Sequence, residues 1–192
     1  GYTLLLGSAA YTINAVLQPA VFGGMTKDFA PVAFCASAPF VLVVHPSVPA
    51  KSVQELVALA KAKPGGLYYA SSGNGTPPHI AGEMFKSMAG VNIVHVPYKN
   101  AAPALIDVVG GQVQMMFAIT SVGLPQVQNG KVRGLAVSSA KRTPLAPNLP
   151  TIAESGYAGY EVIGWNGLLA PTGTPAAIVN KLNAEAMRAL AQ

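Results

Sequence analysis

Apolar and polar positions fall in blocks along this chain, and between residues 51 and 139 the blocks switch between strand-like and helix-like periods. Short apolar runs bounded by turn residues predict strands at residues 4–7, 67–70, 91–96, 113–117 and 132–138. Longer extended stretches are predicted at 31–44 and 162–170. Helical spacing predicts helices at 52–62, 80–89, 103–109, 123–128 and 174–190. Residues 8–14 read as a small polar loop, 141–150 as a proline-rich surface loop, and 150–155 as a helical turn ended by Gly156. The punctuation agrees. Ser52 with Glu55 makes a capping box, Gly90 and Gly110-Gly111 stop two helices, and Thr174-Pro175 opens the last one. Alternating strands and helices imply βαβ units, hence an α/β fold with a mainly parallel sheet and helices on both faces. Such sheets bind ligands at the carboxyl ends of their strands. The loops there are 8–11, 71–76, 97–100 and 118–121, which are rich in hydroxyls, amides and backbone donors and contain no acid.

The run Ser71-Ser72-Gly73-Asn74-Gly75-Thr76-Pro77-Pro78-His79 carries the most chemistry. It reads as a strand end, a tight glycine loop and a helix start. Thr76 is placed to cap the helix and Pro77 to occupy its first position. Ile80, Met84 and Met88, four apart, mark its apolar face. Gly73 and Gly75 allow a sharp turn and a close backbone approach. Open N–H groups at a helix start attract an anion the size of a carboxylate or phosphate. The same residues also suit an ordinary strand–helix connection. The Walker spacing and the third glycine of a dinucleotide fingerprint are absent, and Pro77 and Pro78 remove two donors.

With 192 residues, 51% of them hydrophobic, the chain can form a medium domain or two small lobes with a sizeable core. Only 10% are charged, well below the usual level of roughly a quarter. The net charge of +5 is scattered; without a basic stripe or an aromatic platform, nucleic acid is not an expected partner. No apolar run reaches the ~18 residues needed to cross a bilayer, so stable membrane insertion is not expected. Cys35 is the lone cysteine, read as a small buried hydrophobe. Both ends look cut, at Gly1-Tyr2 inside a strand and at Gln192 inside a helix, which implies a fragment of a longer protein.

Catalytic constellations fail. The seven acids include no pair placed for acid–base work, and Glu55, Glu83, Asp107 and Glu185 read as helix-surface charges. His45, His79 and His95 lack metal-ligand spacing, and no nucleophile elbow occurs. No cofactor and no metal are expected. His79, in the first turn after the glycine loop, can donate to a bound anion or simply steady the turn. Tyr98, after a strand end, brings a hydroxyl to the same sheet edge. Trp165 reads as a ligand wall or, by the usual burial of such rings, as a packed core aromatic.

Taken together, Asp28-Phe29-Ala30-Pro31-Val32, the 69–79 run, Val94-His95-Val96-Pro97-Tyr98-Lys99, Gly110-Gly111-Gln112-Val113, Gly130-Lys131-Val132-Arg133-Gly134-Leu135-Ala136-Val137, Pro150-Thr151-Ile152-Ala153-Glu154-Ser155-Gly156 and Gly167-Leu168-Leu169-Ala170-Pro171 form a specific set. Over nearly its whole length the chain resembles the Bug-type periplasmic solute-binding receptors of tripartite tricarboxylate transporters. The resemblance implies a two-lobed periplasmic-binding-protein-like α/β fold without enzymatic activity, made with a signal peptide in the precursor. It implies capture of a small organic carboxylate or dicarboxylate, and membrane transporter subunits as partners. It divides the chain into residues 1–42 of a first lobe, 43–160 of a second, and a return to the first at 161–192. The family has a further strand, loop and helix before the equivalent of Gly1 and more chain after Gln192, so the first lobe is expected to be incomplete. The expected ligand-binding residues are Ser8, Ser71, Ser72, Gly73, Asn74, Gly75, Thr76, His79, Tyr98 and Ala118. Many relatives carry an acid where Ala118 stands, which here favours a plain carboxylate over an amino acid. Two other readings stay open at this point. One is an anion-handling α/β transferase using the 71–76 loop, and the other is a sensory module of the same fold.

Overall fold

The computed structural model describes residues 3–21 and 24–191, with only the backbone described at Met25 and Thr26. The chain ends at Gly1-Tyr2 and Gln192 lie outside the described residues. In chain order the elements are β1 (Leu5–Ser8), α1 (Ala9–Leu17), α2 (Met25–Asp28), β2 (Phe29–Val44), α3 (Val53–Ala62), β3 (Tyr68–Ser71) and α4 (Pro77–Ala89). They continue with β4 (Val94–Pro97), α5 (Ala101–Val109), β5 (Met115–Ile119), α6 (Thr120–Gln128), β6 (Arg133–Val137), β7 (Ile163–Pro171) and α7 (Ala176–Leu190). The chain divides into two compact units, Gly1–Ser37 with Gly164–Gln192, and Ala38–Ile163. These boundaries differ from 42/43 and 160/161 because Phe40 to Leu42 already pair with β5, and Val162 donates to the Ser138 carbonyl.

In the larger unit β3 runs parallel to β4 and to β5, the sense expected of strands joined through α4 and α5. The strand β6 returns through α6, while β2 lies between β5 and β6, antiparallel to both. The sheet is therefore mixed, with β3, β4, β5 and β6 running one way and β2 alone against them. Alternation along β2 builds two cores. Phe40, Leu42 and Val44 face α3 and α4, whereas Val41 and Val43 share the other face with α5 and α6 residues such as Ala104 and Leu124.

Sequence punctuation explains several boundaries. Ser52 Oγ accepts from the Glu55 N–H at 3.1 Å, and Glu55 accepts from the Lys51 N–H at 2.6 Å. Asn100 caps α5 through the Ala102 N–H. Gly90 ends α4 at φ 62°, in the left-handed region that favours glycine. The turn at 151–155 closes reciprocally between Thr151 and Glu154, with both distances 2.9 Å.

The buried face of α4 is Ala81, Gly82, Phe85 and Ala89, one position on from the expected Ile80–Met84–Met88 stripe. The helix presses closely on β3, so its small residues face inward. A Cβ on Gly82 would stand only 2.3 Å from the Tyr69 ring.

In the smaller unit β1 and β7 pair antiparallel from Leu5↔Leu169 to Ser8↔Asn166. Val179, Leu182 and Ala186 of α7 pack on Val32, Ala33 and Ala170. Residues 9–17 form a helix where a polar loop was expected. Ala9, Ile13, Val16 and Leu17 supply helical spacing that outweighs the short polar positions between them. Helix α7 begins at Ala176 with Pro175 in the N-cap position, and Thr174 donates to the Pro171 carbonyl instead of capping the helix. Trp165 and Cys35 are half-buried rather than core. Among the described residues no helix is long and apolar enough to cross a membrane.

Candidate anion-binding site

The β3–α4 loop is built on Ser71, the last residue of β3, which is fully buried. Its carbonyl accepts from the Tyr98 N–H at 3.0 Å, tying the loop to the end of β4. Its Oγ accepts from the Gly73 N–H at 3.1 Å and lies 2.6 Å from His95 Nε2. Gly73 turns at φ 122°, and a Cβ there would stand 3.2 Å from the Tyr98 carbonyl oxygen. Both the backbone angle and the space therefore require glycine. Gly75 follows at φ 70° and donates its N–H to His79 Nδ1 at 3.2 Å.

Thr76 occupies the N-cap position of α4, yet its side chain makes no cap bond. Its Oγ1 donates instead to the Gly73 carbonyl at 2.6 Å, locking the turn. With Pro77 and Pro78 opening the helix, the start offers fewer donors than its position implies. Ser72 is half-buried and Asn74 is exposed, and among the described residues no hydrogen bond ties either side chain into the loop.

A column of rings stands behind the loop. His79 stacks on His95 at 4.4 Å between centroids, and His95 on Tyr69 at 4.7 Å. Tyr69 donates to Glu83 Oε1 at 2.6 Å, and Lys86 Nζ meets the same oxygen at 2.7 Å. Burial, then the Glu83 carboxylate, pushes the Tyr69 phenol far up. For Glu83, burial works upward, but hydrogen bonds from Lys86 and Tyr69 and the Lys86 and His79 charges outweigh it. Its carboxyl is held below the usual range. Burial first, then the neighbouring His79, pushes His95 down to about 4.

Two expected site residues are redirected. The Tyr98 hydroxyl donates to Asp107 Oδ2 at 2.6 Å, and burial together with that carboxylate pushes the phenol up to about 12. Ala118 is 2% exposed in the β5 core, and a Cβ on Gly123 would come within 2.8 Å of its methyl. It faces α6 and presents nothing to a ligand. Ser8 ends β1 in the smaller unit, half-buried, with no cap bond to α1. Nor are Glu83 and Asp107 free surface charges, since each is engaged by a tyrosine.

Two residues were not expected. Thr120 Oγ1 and Ser139 Oγ are buried without a hydrogen-bond partner. Thr120 directly follows Ile119, which pairs with Phe40. Ser139 follows Ser138, whose N–H donates to the Phe40 carbonyl at 2.8 Å. Both hydroxyls therefore flank the start of the β2 ladder, at the edge of the sheet where β3, β4 and β5 end. A buried unpaired hydroxyl costs roughly 1–3 kcal/mol, and such groups in a fold call for a partner. The sequence signal was the Thr120-Ser121 pair beside Ala118; Ser139 sits just past a predicted strand end and carried none. Among the described residues no three His, Cys, Asp or Glu side chains gather as a metal site.

Residues 1–192 match the family described as Tripartite tricarboxylate transporter family receptor (TctC). The chain belongs to that family. Among solved structures, R. palustris Rpa4515 with adipate is 39% identical with a TM-score of 0.89, over 97% of this chain and 62% of that one. The periplasmic binding protein BugD is 34% identical with a TM-score of 0.86, over 98% and 63%. MatC (Rpa3494) from Rhodopseudomonas palustris, with bound malate, is 31% identical with a TM-score of 0.89, over 99% and 65%. The fold of this TctC-family chain is accordingly that of the periplasmic binding proteins, as its motifs led one to expect. The chain spans 57% and 59% of the length of two curated relatives that it matches.

Proposed function

We propose that the intact protein is a periplasmic receptor that captures a small organic carboxylate or dicarboxylate and hands it to the membrane subunits of a tripartite transporter. The observation that carries this reading is the 71–76 loop. It is a glycine turn held by Ser71 and Thr76, with Ser72 half-buried and Asn74 exposed, and both nearby acids are already paired. A carboxylate meets backbone dipoles and hydroxyls there, with no opposing free carboxylate. Adipate and malate in the related structures support the same ligand class.

In this reading Ser72, Gly73, Asn74 and Gly75 face the ligand, Ser71 and Thr76 hold the turn, and His79 offers its Nε2 side. Thr120 and Ser139 join them as unsatisfied donors at the same sheet edge. Ser8, in the smaller unit, remains a separate candidate. The case for a plain carboxylate over an amino acid no longer rests on Ala118, which lies in the core; it rests on the pairing of Glu83 and Asp107. No transferase reading is retained, because the matched family is one of receptors.

A thermal-shift panel on the full-length protein tests the proposal, with adipate, malate, an amino acid, a sugar and inorganic phosphate as probes. A carboxylate at ~100 Kd should add roughly 2.7 kcal/mol of stability. Stabilisation by the sugar or the phosphate alone would overturn it.

A further inference from the structure

We propose that the stacked His79–His95 pair is an acid-sensitive latch on the 71–76 loop, holding it in its ligand-facing shape while both rings are neutral and releasing it when the pair takes a proton. The consequence for capture rests on the carboxylate reading above; the latch itself does not.

The first tie is a backbone N–H. Gly75 can only donate, and it donates to His79 Nδ1. That nitrogen must therefore present its lone pair, which fixes His79 as the neutral tautomer with its proton on Nε2. A second proton could enter only at Nδ1. Two donors would then face each other across 3.2 Å, and the bond would become a repulsion. The second tie is at the other end of the loop, where Ser71 Oγ meets His95 Nε2 at 2.6 Å. The two rings touch, so a charge on one is felt by the other. One stacked pair thus grips the loop at both Ser71 and Gly75.

The surroundings set which ring responds. From β3 the pair is faced by Tyr69, and from α4 by Glu83 and Lys86. Lys86 opposes a further positive charge. Glu83 favours one, but its oxygen is already shared between Tyr69 and Lys86. Burial and the neighbouring His79 push His95 down to about 4, and the ring that grips Gly75 is the other member of the stack. The loop at that point sits at φ 70°. Losing the grip there frees a turn whose shape decides where its donors point.

Nuclear magnetic resonance on the full-length protein without ligand tests the latch. The imidazole signals of His79 and His95 are followed from pH 7.5 to 4.5 together with the exchange protection of the Gly75 amide. The expected result is a fall of at least tenfold in Gly75 protection, with the same midpoint as the imidazole titration. In His79→Asn, whose side-chain oxygen can accept from Gly75 without titrating, that fall is expected to vanish. Protection that stays constant while the imidazoles titrate overturns the latch, and so does an unchanged pH response in His79→Asn. Should the variant not fold, the unmodified protein alone still decides. No ligand takes part, so a failed latch leaves the carboxylate reading standing, and a failed ligand panel leaves the latch intact.

Discussion

The ring of Tyr69 fills the space that a side chain on Gly82 would need. The helix carrying Gly82 also carries His79, Glu83 and Lys86, and Tyr69 stacks on His95. A contact between one glycine and one ring therefore sets the spacing of every group behind the loop.

Gly82→Ala should for this reason be destabilising. In an ordinary helix interior the change gains roughly 1 kcal/mol. Here overpacking costs ~1–3 kcal/mol, so a net loss of about 1 kcal/mol is expected in urea unfolding. A gain would show that the Tyr69 ring moves aside freely.

Thr76→Val removes the hydroxyl that locks Gly73 while keeping the side-chain shape. Loss of one intramolecular hydrogen bond predicts a stability decrease of about 1 kcal/mol and weaker carboxylate binding in the full-length protein. Thr76→Ser should restore both. Full affinity in the valine variant, measured by titration calorimetry, would limit Thr76 to a structural role.

Thr120→Val should separate stability from binding. The free protein loses an unsatisfied buried hydroxyl and should become more stable by roughly 1 kcal/mol. Binding of the carboxylate identified in the thermal-shift panel should weaken. Unaltered affinity would remove Thr120 from the site.

Stability should fall in mild acid, with a sign fixed by His95. Its value is depressed from 6.5 to about 4 in the folded state. Between those limits the unfolded chain binds more protons, so stability rises with pH and is lost as pH falls from 6.5 toward 4. Because the ring is only partly buried, solvent screening reduces the effect to about 1 kcal/mol. Glu83, also depressed, adds a second loss as pH falls below 4.5. His95→Gln should flatten the first phase and leave the second. An unfolding midpoint independent of pH between 6.5 and 4 would contradict this.

Much of this fold is legible in the chain because its helices are punctuated. Ser52, Gly90 and Gly111 act locally, through a cap and positive-φ turns that depend on no distant partner. What escapes is decided by contacts between elements. The inward face of α4 follows from how closely it meets Tyr69, which its own periodicity does not encode. The antiparallel sense of β2 depends on where the strand enters the unit. In the site, the glycine turn and its hydroxyls are readable. The engagement of Tyr98 by Asp107, the burial of Ala118 and the unpaired Thr120 are not, because each depends on a side chain from another element. The family, by contrast, was readable from short motifs spread along the sequence.

The position of β2 between β5 and β6 has a consequence for how the protein is made. Val41 to Val44 are wholly buried and lead the larger unit in chain order. Yet Phe40 waits for Ile119, and Val41 for Val137. In an emerging chain the partners of this strand do not yet exist, and pairing across such separations is slow even once they do. Within the larger unit, a fully buried strand segment is thus left bare until most of that unit has been made.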